Sequence, residues 1–362
     1  MTKDKQYSIY HGNKIKVEVF GASHAEKIGV IVDGFDKDVV VNEEELQSFC
    51  DRRRAKKSSY STTRLEEDKI IFESGIDGDK LDGKTFKAVI KNSNQHSKDY
   101  GERVVLPRPS HADYVATIKY GDDFDHRGGG KFSGRLTAPM CIAGGIAKQI
   151  LEKRGITIDA FVSSIGELKL KGYDDIDQNE SLSFSDDSFR ILDESEKQKV
   201  DDLISSVRSE GDSIGGTIDC IIKGVPVGVG EYMFDSIESV IAHLVFAVPA
   251  VKGIEFGKGF DISKMKGSVA NDAFYYDGDK VKTKTNNNGG INGGIANGMP
   301  ITFRVAVKPT PSISKAQDTV NLLTGKNEVL EIRGRHDACI VPRAVAPIEA
   351  VVALAIYDLL EK

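Results

Sequence analysis

The chain has 362 residues, 40% of them hydrophobic, which is enough to bury a large core, and its formal net charge is −6. That charge argues against general nucleic-acid binding, so an anionic ligand has to be drawn by local basic clusters and not by the overall field. Cys50, Cys141, Cys220 and Cys339 are scattered without any Cys-x-x-Cys pair, which supports neither a zinc site nor a disulfide framework.

The first residues carry no apolar signal region, and no run of 18 apolar residues occurs. A cytoplasmic protein with no membrane partner is the expectation. No Pro/Ser-rich linker or like-charge block divides the sequence, so a single domain over residues 1–362 is expected. Residues 14–20 (KIKVEVF) alternate in period two and predict a half-buried strand. A turn carrying Ser23 and His24 leads to a second strand at 28–32. Residues 43–54 predict a helix with acids in its first turn and arginines in its last. Arg52, Arg53 and Arg54, with Lys56 and Lys57, then form a possible anion site. Residues 69–73 and 85–91 predict two short strands that pair like a hairpin.

The stretch 108–151 joins chemistry to scaffold. Arg108, His111 and Asp113 stand together, and histidine is the side chain best suited to proton transfer near neutral pH. A histidine merely hydrogen-bonded at a strand edge is the competing reading. Gly128, Gly129 and Gly130 follow, flanked by Arg127, Lys131 and Arg135. Backbone without Cβ beside fixed positive charge suits phosphate or carboxylate groups. A helix at 139–154 is predicted to bury Met140, Ala143, Ala147, Ile150 and Leu151 on one face. RLTAP at 135–139 is echoed by RAVAP at 343–347, and the second copy opens a helix at 348–360 that is apolar nearly all round. The pair suggests an internal pseudo-repeat.

Between the copies, residues 181–195 are acidic and serine-rich and read as a solvated excursion. A surface helix at 196–209, a strand at 217–222 and a helix at 236–248 follow, the last bringing Pro249 and Ala250 to a turn. Residues 283–298 are too rich in Gly and Asn for regular structure and read as a loop wrapping a ligand. A strand at 301–307 delivers KPTPSI, in which Lys308 can pair with a phosphate and two prolines restrict the backbone. Residues 333–337 place two guanidinium groups around a histidine and a carboxylate.

Taken together, RPSHADY at 108–114, KYG at 119–121, RGGG at 127–130, Ser133-x-Arg135 and Thr137-Ala138 resemble one family closely. Chorismate synthases carry RPGHADY, KYG, RGGG, a Ser-x-Arg and a Thr-Ala leading into a helix. FGASHAEKIGVIVDGF at 20–35 is similar to their FGESHG…DG, and RHDAC at 335–339 to their RHDPC, with GGINGGIANG and KPTPSI in between. The resemblance covers essentially the whole chain.

It implies an α+β fold in which antiparallel sheets sandwich buried helices in one large domain, a β-α-β sandwich with an internal pseudo-repeat. It implies a lyase that eliminates phosphate and a ring proton from 5-enolpyruvylshikimate 3-phosphate to give chorismate. Reduced FMN is required without net redox change, and NADP is associated with the family. No GxGxxG follows a strand, so the flavin is expected already reduced, from a separate flavin reductase or other reductant. A homotetramer is implied.

By the same resemblance, His24, His111 and Asp337 handle protons: His111 serves the reduced flavin, His24 the leaving phosphate, and Asp337 works near flavin N5. Ser23, Arg53, Arg108, Arg135 and Arg335 are implied at the substrate. Lys131, Phe132, Ser133, Pro249, Ala250, Gly293, Lys308, Pro309, Thr310, Pro311, Ser312 and Arg335 are implied at the cofactor, with no metal. The sequence departs from the family at Ala22, Ala25 and Ala338, and in the basic loop, where Ala55 and Lys56 replace Pro-Gly and Ser59 stands where a further positive charge is usual. Lys56 and Lys57 are expected to supply the missing contact. A flavin oxidoreductase of another substrate and a non-catalytic binding protein are the alternatives.

Overall fold

The computed structural model describes residues 8–54, 67–92, 104–185, 188–332 and 336–360. The expectations for Ala55, Lys56, Lys57, Ser59, Arg333 and Arg335 fall outside these residues. Two five-stranded antiparallel sheets dominate. The first runs in the order Ser8–His11, Lys16–Phe20, Lys27–Asp33, Phe86–Lys91, Ile71–Ser74. Its predicted alternation holds, with Val17 and Val19 buried, while the central strand buries Ile28, Val30 and Val32. Lys16 pairs with Asp33 and Phe20 with Gly29, so the intervening turn carries Ser23 and His24 out at one end of the sheet. The second sheet runs Val251–Phe256, Ile301–Val307, Gly216–Lys223, Thr157–Ile165, Leu168–Lys169.

Seven helices are described: α1 (Glu43–Asp51), α2 (Asp113–Tyr120), α3 (Thr137–Lys153), α4 (Lys197–Ser209), α5 (Ile237–Val245), α6 (Gly267–Ala270) and α7 (Val341–Leu359). Asn42 caps α1 by accepting from the Glu45 amide at 3.2 Å, and three glutamates fill its first turn. The helix closes at Asp51, so the arginines expected in its last turn follow it instead. Each sheet is succeeded by one long helix, α3 after the first and α7 after the second, and the two helices pack on each other between the sheets. This is the α+β sandwich with its repeat.

Both long helices are buried more completely than one apolar face would give. In α3 Met140 is only half-buried, whereas Gly144 and Gly145 lie deep. A Cβ on Gly144 would collide with the backbone of Ala350 in α7, and one on Gly145 would come within 2.5 Å of Leu46 Cδ1 and 3.0 Å of Phe49 Cδ1 in α1. Glycine is required because α3 is squeezed from both sides. Helix α7 begins at Val341, earlier than expected, and carries Pro347 inside it.

Two carboxylates in α7 are fully buried, and each is satisfied. Glu349 accepts from Arg52 at 2.7 and 3.0 Å, from Arg190 at 3.1 Å and from the Ala160 amide at 2.9 Å. Burial pushes its carboxyl up, but the surrounding cations outweigh that and hold it at about 2. Asp358 accepts from the amides of Asn13, Lys14 and Ile15 at 3.0, 2.8 and 3.0 Å. Two expectations are corrected here. Arg52 is committed to Glu349 and is not part of an anion site. Residues 181–195 are not simply solvated, since Phe189 and Ile191 are core residues, Arg190 reaches Glu349, and Phe184 packs beside Phe161.

Gly144→Ala is expected to lower stability by about 1–3 kcal/mol or more, because backbone and not a flexible side chain must move. The urea unfolding midpoint checks this, and a parental midpoint would refute the close crossing.

Candidate active site

The Ser23–His24 turn lies against the triple glycine. The Ser23 amide donates to the Gly130 carbonyl at 3.0 Å. A Cβ on Gly128 would fall 2.5 Å from Ser23 Oγ and 2.6 Å from His24 Cε1, and one on Gly129 would fall 3.3 Å from His111 Nε2. The three glycines hold φ of 58°, 92° and 55°. A single left-handed turn therefore stands between the two histidines, and only residues without Cβ let both approach it. Ser23 and His24 are themselves buried.

His111 sits just ahead of α2, not on a strand edge. Its Nδ1 lies 2.8 Å from Asp113 Oδ1. Arg108 donates to the same carboxylate through Nε at 2.7 Å, Nη2 at 2.9 Å and its backbone amide at 3.1 Å. Burial raises the Asp113 pKa, yet the hydrogen bonds and charges of Arg108 and His111 prevail and leave it well below the usual carboxylate range. An ionised carboxylate can only accept, so in the neutral ring Nδ1 carries the proton. Nε2, on the Gly129 side, is the nitrogen left to exchange one.

The KPTPS segment meets these residues from the other sheet. Arg108 Nη1 donates to Ser312 Oγ at 3.3 Å, and Lys308 Nζ donates to the Ser110 carbonyl at 2.7 Å. The Lys308 amide donates to the Ala250 carbonyl at 2.9 Å, which brings Pro249 and Ala250 alongside. The Thr310 carbonyl accepts from Ser213 Oγ at 2.7 Å, while its buried Oγ1 has no hydrogen-bond partner among the described residues. Burial lowers the Lys308 pKa and nearby Lys252 lowers it further. A lysine whose charge is disfavoured, two residues before an unsatisfied hydroxyl, is a setting that an anion would relieve. His336 is similar: burial and then Arg108 hold it below its ordinary value despite Asp337, and its Nε2 has no partner among the described residues.

Arg53 and Arg135 share one carboxylate that the sequence reading missed. Arg53 Nη1 donates to Asp68 Oδ2 at 2.6 Å, and Arg135 Nη1 to Asp68 Oδ1 at 2.5 Å. Arg343 Nη1 donates to Asp337 Oδ2 at 2.5 Å and its Nε to the Arg53 carbonyl at 3.0 Å. Arg135 and Arg343 occupy matching places in the RLTAP and RAVAP repeat, the one signal that could have singled out Arg343.

Other predicted residues have local partners. Lys131 Nζ stands 3.4 Å from the centroid of the Tyr120 ring, beside Phe132, and Ser133 Oγ accepts from the Arg135 amide at 3.2 Å. Gly293 is set apart. It turns a small hairpin, Ile291–Asn292 with Ile295–Ala296, and the Gly294 carbonyl accepts from the Ile237 amide at the start of α5. Pro249 and Ala250 follow the other end of that nine-residue helix, roughly 13 Å away along its axis. The region 283–298 is thus partly regular, and Asp272 ties it down by accepting from Thr285 Oγ1 at 2.7 Å and from the amides of Asn287 and Asn288 at 2.7 and 2.9 Å. Among the described residues no group of three or more His, Cys, Asp or Glu could hold a metal ion.

The arrangement can be set beside known proteins. The protein-family model of chorismate synthase matches residues 15–360. The chain belongs to the chorismate synthase family. A chorismate synthase of Dehalococcoides mccartyi is 45% identical over 350 residues, covering 96% of this chain and 95% of the relative. One of Bacteroides thetaiotaomicron is 42% identical, covering 96% of each. A crystal structure of a chorismate synthase superimposes with a TM-score of 0.74 at 26% identity, over 97% of this chain and 92% of that one. Among the described residues, the departures from the family pattern at Ala22, Ala25 and Ala338 lie where the backbone makes hydrogen bonds. The Ala22 carbonyl accepts from the Ala25 amide at 3.1 Å, and the Ala338 carbonyl from the Ile214 amide at 2.8 Å.

Because the folded-state carboxyl of Asp113 titrates below the unfolded value of about 3.9, its stabilisation is present above about pH 4 and is lost as the pH falls below that. Asp113→Asn should therefore flatten the acid side of a thermal-unfolding series, and should slow turnover by no more than His111→Ala does. Equal slopes for parent and variant would show that the carboxylate is not held ionised by its neighbours.

Proposed function

We propose that the protein is a chorismate synthase: a lyase that removes phosphate and a ring proton from 5-enolpyruvylshikimate 3-phosphate by anti-1,4-elimination. The ring C–H bond and the C–O bond to phosphate break, the electron pair of the C–H bond ends in the new double-bond system, and chorismate, phosphate and a proton leave. The carrying observation is the convergence of His24 and His111 on one glycine turn, inside a chain whose family is shown over nearly its full length.

The residue chemistry supports this reading. A substrate with three anionic groups needs guanidinium groups and exposed amides; Arg53 and Arg135 meet at Asp68, Arg108 lies beside His111 on Asp113, and Arg335 is next in sequence to His336. Lys308, Thr310, Ser312, Pro249 and Ala250 form a cluster that suits reduced FMN, since the strained lysine charge and the unsatisfied hydroxyl favour an anionic phosphate-bearing group. Pro309, Pro311, Lys131, Phe132 and Ser133 complete the proposed cofactor contacts, while Gly293 lies at the far end of α5. When bound, reduced FMN supplies electron density to the elimination and is returned unchanged. His24, buried beside Ser23, holds a proton for the departing phosphate. His111, fixed in one tautomer by Asp113, keeps Nε2 ready to exchange one. Asp337, gripped by Arg343, holds the third titratable position. We further propose a cytoplasmic homotetramer of single-domain chains, supplied with reduced flavin by a separate reductase. Among the described residues no helix is long and apolar enough to cross a membrane.

Anaerobic turnover with dithionite-reduced FMN should form chorismate without consuming the flavin, and oxidised FMN should support none. Flavin oxidation in step with product would favour the oxidoreductase. His111→Ala and Asp337→Asn should each slow turnover about 10²–10⁴-fold while leaving circular dichroism unchanged. Near-parental rates in both would remove them from the proton path.

A further inference from the structure

We infer that Asp68 is a positioning residue which locks Arg53 and Arg135 into one fixed pair of guanidinium groups for the anionic substrate. The inference rests on the proposed elimination and adds to it a residue that touches the reaction only through two others. The geometry is specific. The two arginines come from distant parts of the chain, one after α1 and the other at the entry to α3, and each takes a separate oxygen of the same carboxylate. All three side chains are nearly inaccessible, with exposures of 5%, 8% and 3% for Arg53, Arg135 and Asp68.

Each guanidinium also has a second anchor. Arg53 Nε donates to Thr137 Oγ1 at 3.1 Å, at the first residue of α3. Arg135 Nε donates to Asn92 Oδ1 at 3.1 Å, and the amide of that asparagine donates to the Ala25 carbonyl at 2.6 Å, one residue beyond His24. The pair is thereby referenced to the histidine turn. Asp68 itself holds φ of 49°, a left-handed conformation that is unfavourable for a non-glycine residue and persists when its surroundings enforce it. Gln47 Nε2 supports it by donating to its carbonyl at 3.2 Å.

Charge accounting points the same way. Among the described residues Arg53 and Arg135 both face Asp68, while Arg343 faces Asp337. Two like charges bound to a common anion stay parallel only while that anion remains. Removing the Asp68 charge leaves the attraction for anions in place, or strengthens it, but releases the arginines from their alignment. Misplacement of about 1 Å costs about a hundredfold in rate, so the loss falls on kcat and not on KM. A purely structural ion pair predicts the opposite: lost stability with the surviving fraction fully active.

The test uses the full chain, with Asp68→Asn and Asp68→Glu compared in anaerobic turnover with reduced FMN and in thermal unfolding with inorganic phosphate. For Asp68→Asn the expected result is kcat reduced about ten- to a hundredfold, KM within about threefold of the parent, and a phosphate-induced rise in Tm at least as large as the parent's. A parental kcat, or a phosphate shift that shrinks along with kcat, overturns the inference. Should Asp68→Asn not fold, Asp68→Glu decides, since it keeps the charge but displaces both arginines: lowered kcat with the phosphate shift retained supports positioning, and a parental kcat refutes it. A parent that forms no product would sink the proposed elimination, and the phosphate shifts of parent and variant would still decide whether Asp68 restrains the pair.

Discussion

A helix buried on every side can keep carboxylates only if the rest of the chain brings partners to them, and α7 keeps two. Glu349 collects Arg52 from the end of α1, Arg190 from the segment before α4, and the Ala160 amide from the second sheet. Asp358, near the other end, collects three successive amides from the turn between the first two strands of the first sheet. One helix is therefore fastened to both sheets by charge as well as by apolar packing. Breaking a buried pair of this kind costs about 3–5 kcal/mol, because a charge is left without water or partner. The positions of α1 and of the Arg53 that follows it depend on that fastening.

The candidate site inherits its order from the same frame. Arg52 and Arg53 are neighbours in sequence, yet one is directed into the core toward Glu349 and the other toward Asp68 and α3. The Arg52–Glu349 pair thus fixes where the cluster of Arg53, Asp68 and Arg135 begins. A molecule with an overall negative charge gathers here, among the described residues, Arg53 and Arg135 on one carboxylate and Arg343 on another.

Much of this was legible in the sequence, for definable reasons. Alternation in residues 14–20 and the apolar run at 301–307 gave strands because side-chain burial has a period of two. The segments around His111, the glycines and Lys308 could be singled out because each is a short run of consecutive residue types, and the fold brings them together. What stayed hidden were partners that come from far along the chain. Asp68 carries no motif, and only the fold shows that its two oxygens meet Arg53 and Arg135. Arg52 looked like a member of a basic cluster because a run of charge does not reveal which side chain turns inward. Residues 181–195 read as solvated because composition averaged over Phe189 and Ile191, two residues that anchor an otherwise polar stretch. The Asn-Gly segment at 283–298 concealed its order because the order comes from Asp272, outside it.

The glycine pair in α3 has a consequence for how the chain acquires its structure. Each glycine inside a helix weakens it by about 1 kcal/mol relative to alanine, so α3 has little intrinsic tendency to persist alone. Its stabilising neighbour at Gly144 is Ala350, some 200 positions later. During synthesis the first sheet and α3 emerge long before α7 does, and the apolar surface that α3 shares with α7 must wait for that helix. Contacts that distant in sequence are slow to form and leave apolar surface uncovered meanwhile. The nascent chain thus depends most on chaperone protection while α7 is still missing, and loss of α7 removes the lock for the whole sandwich.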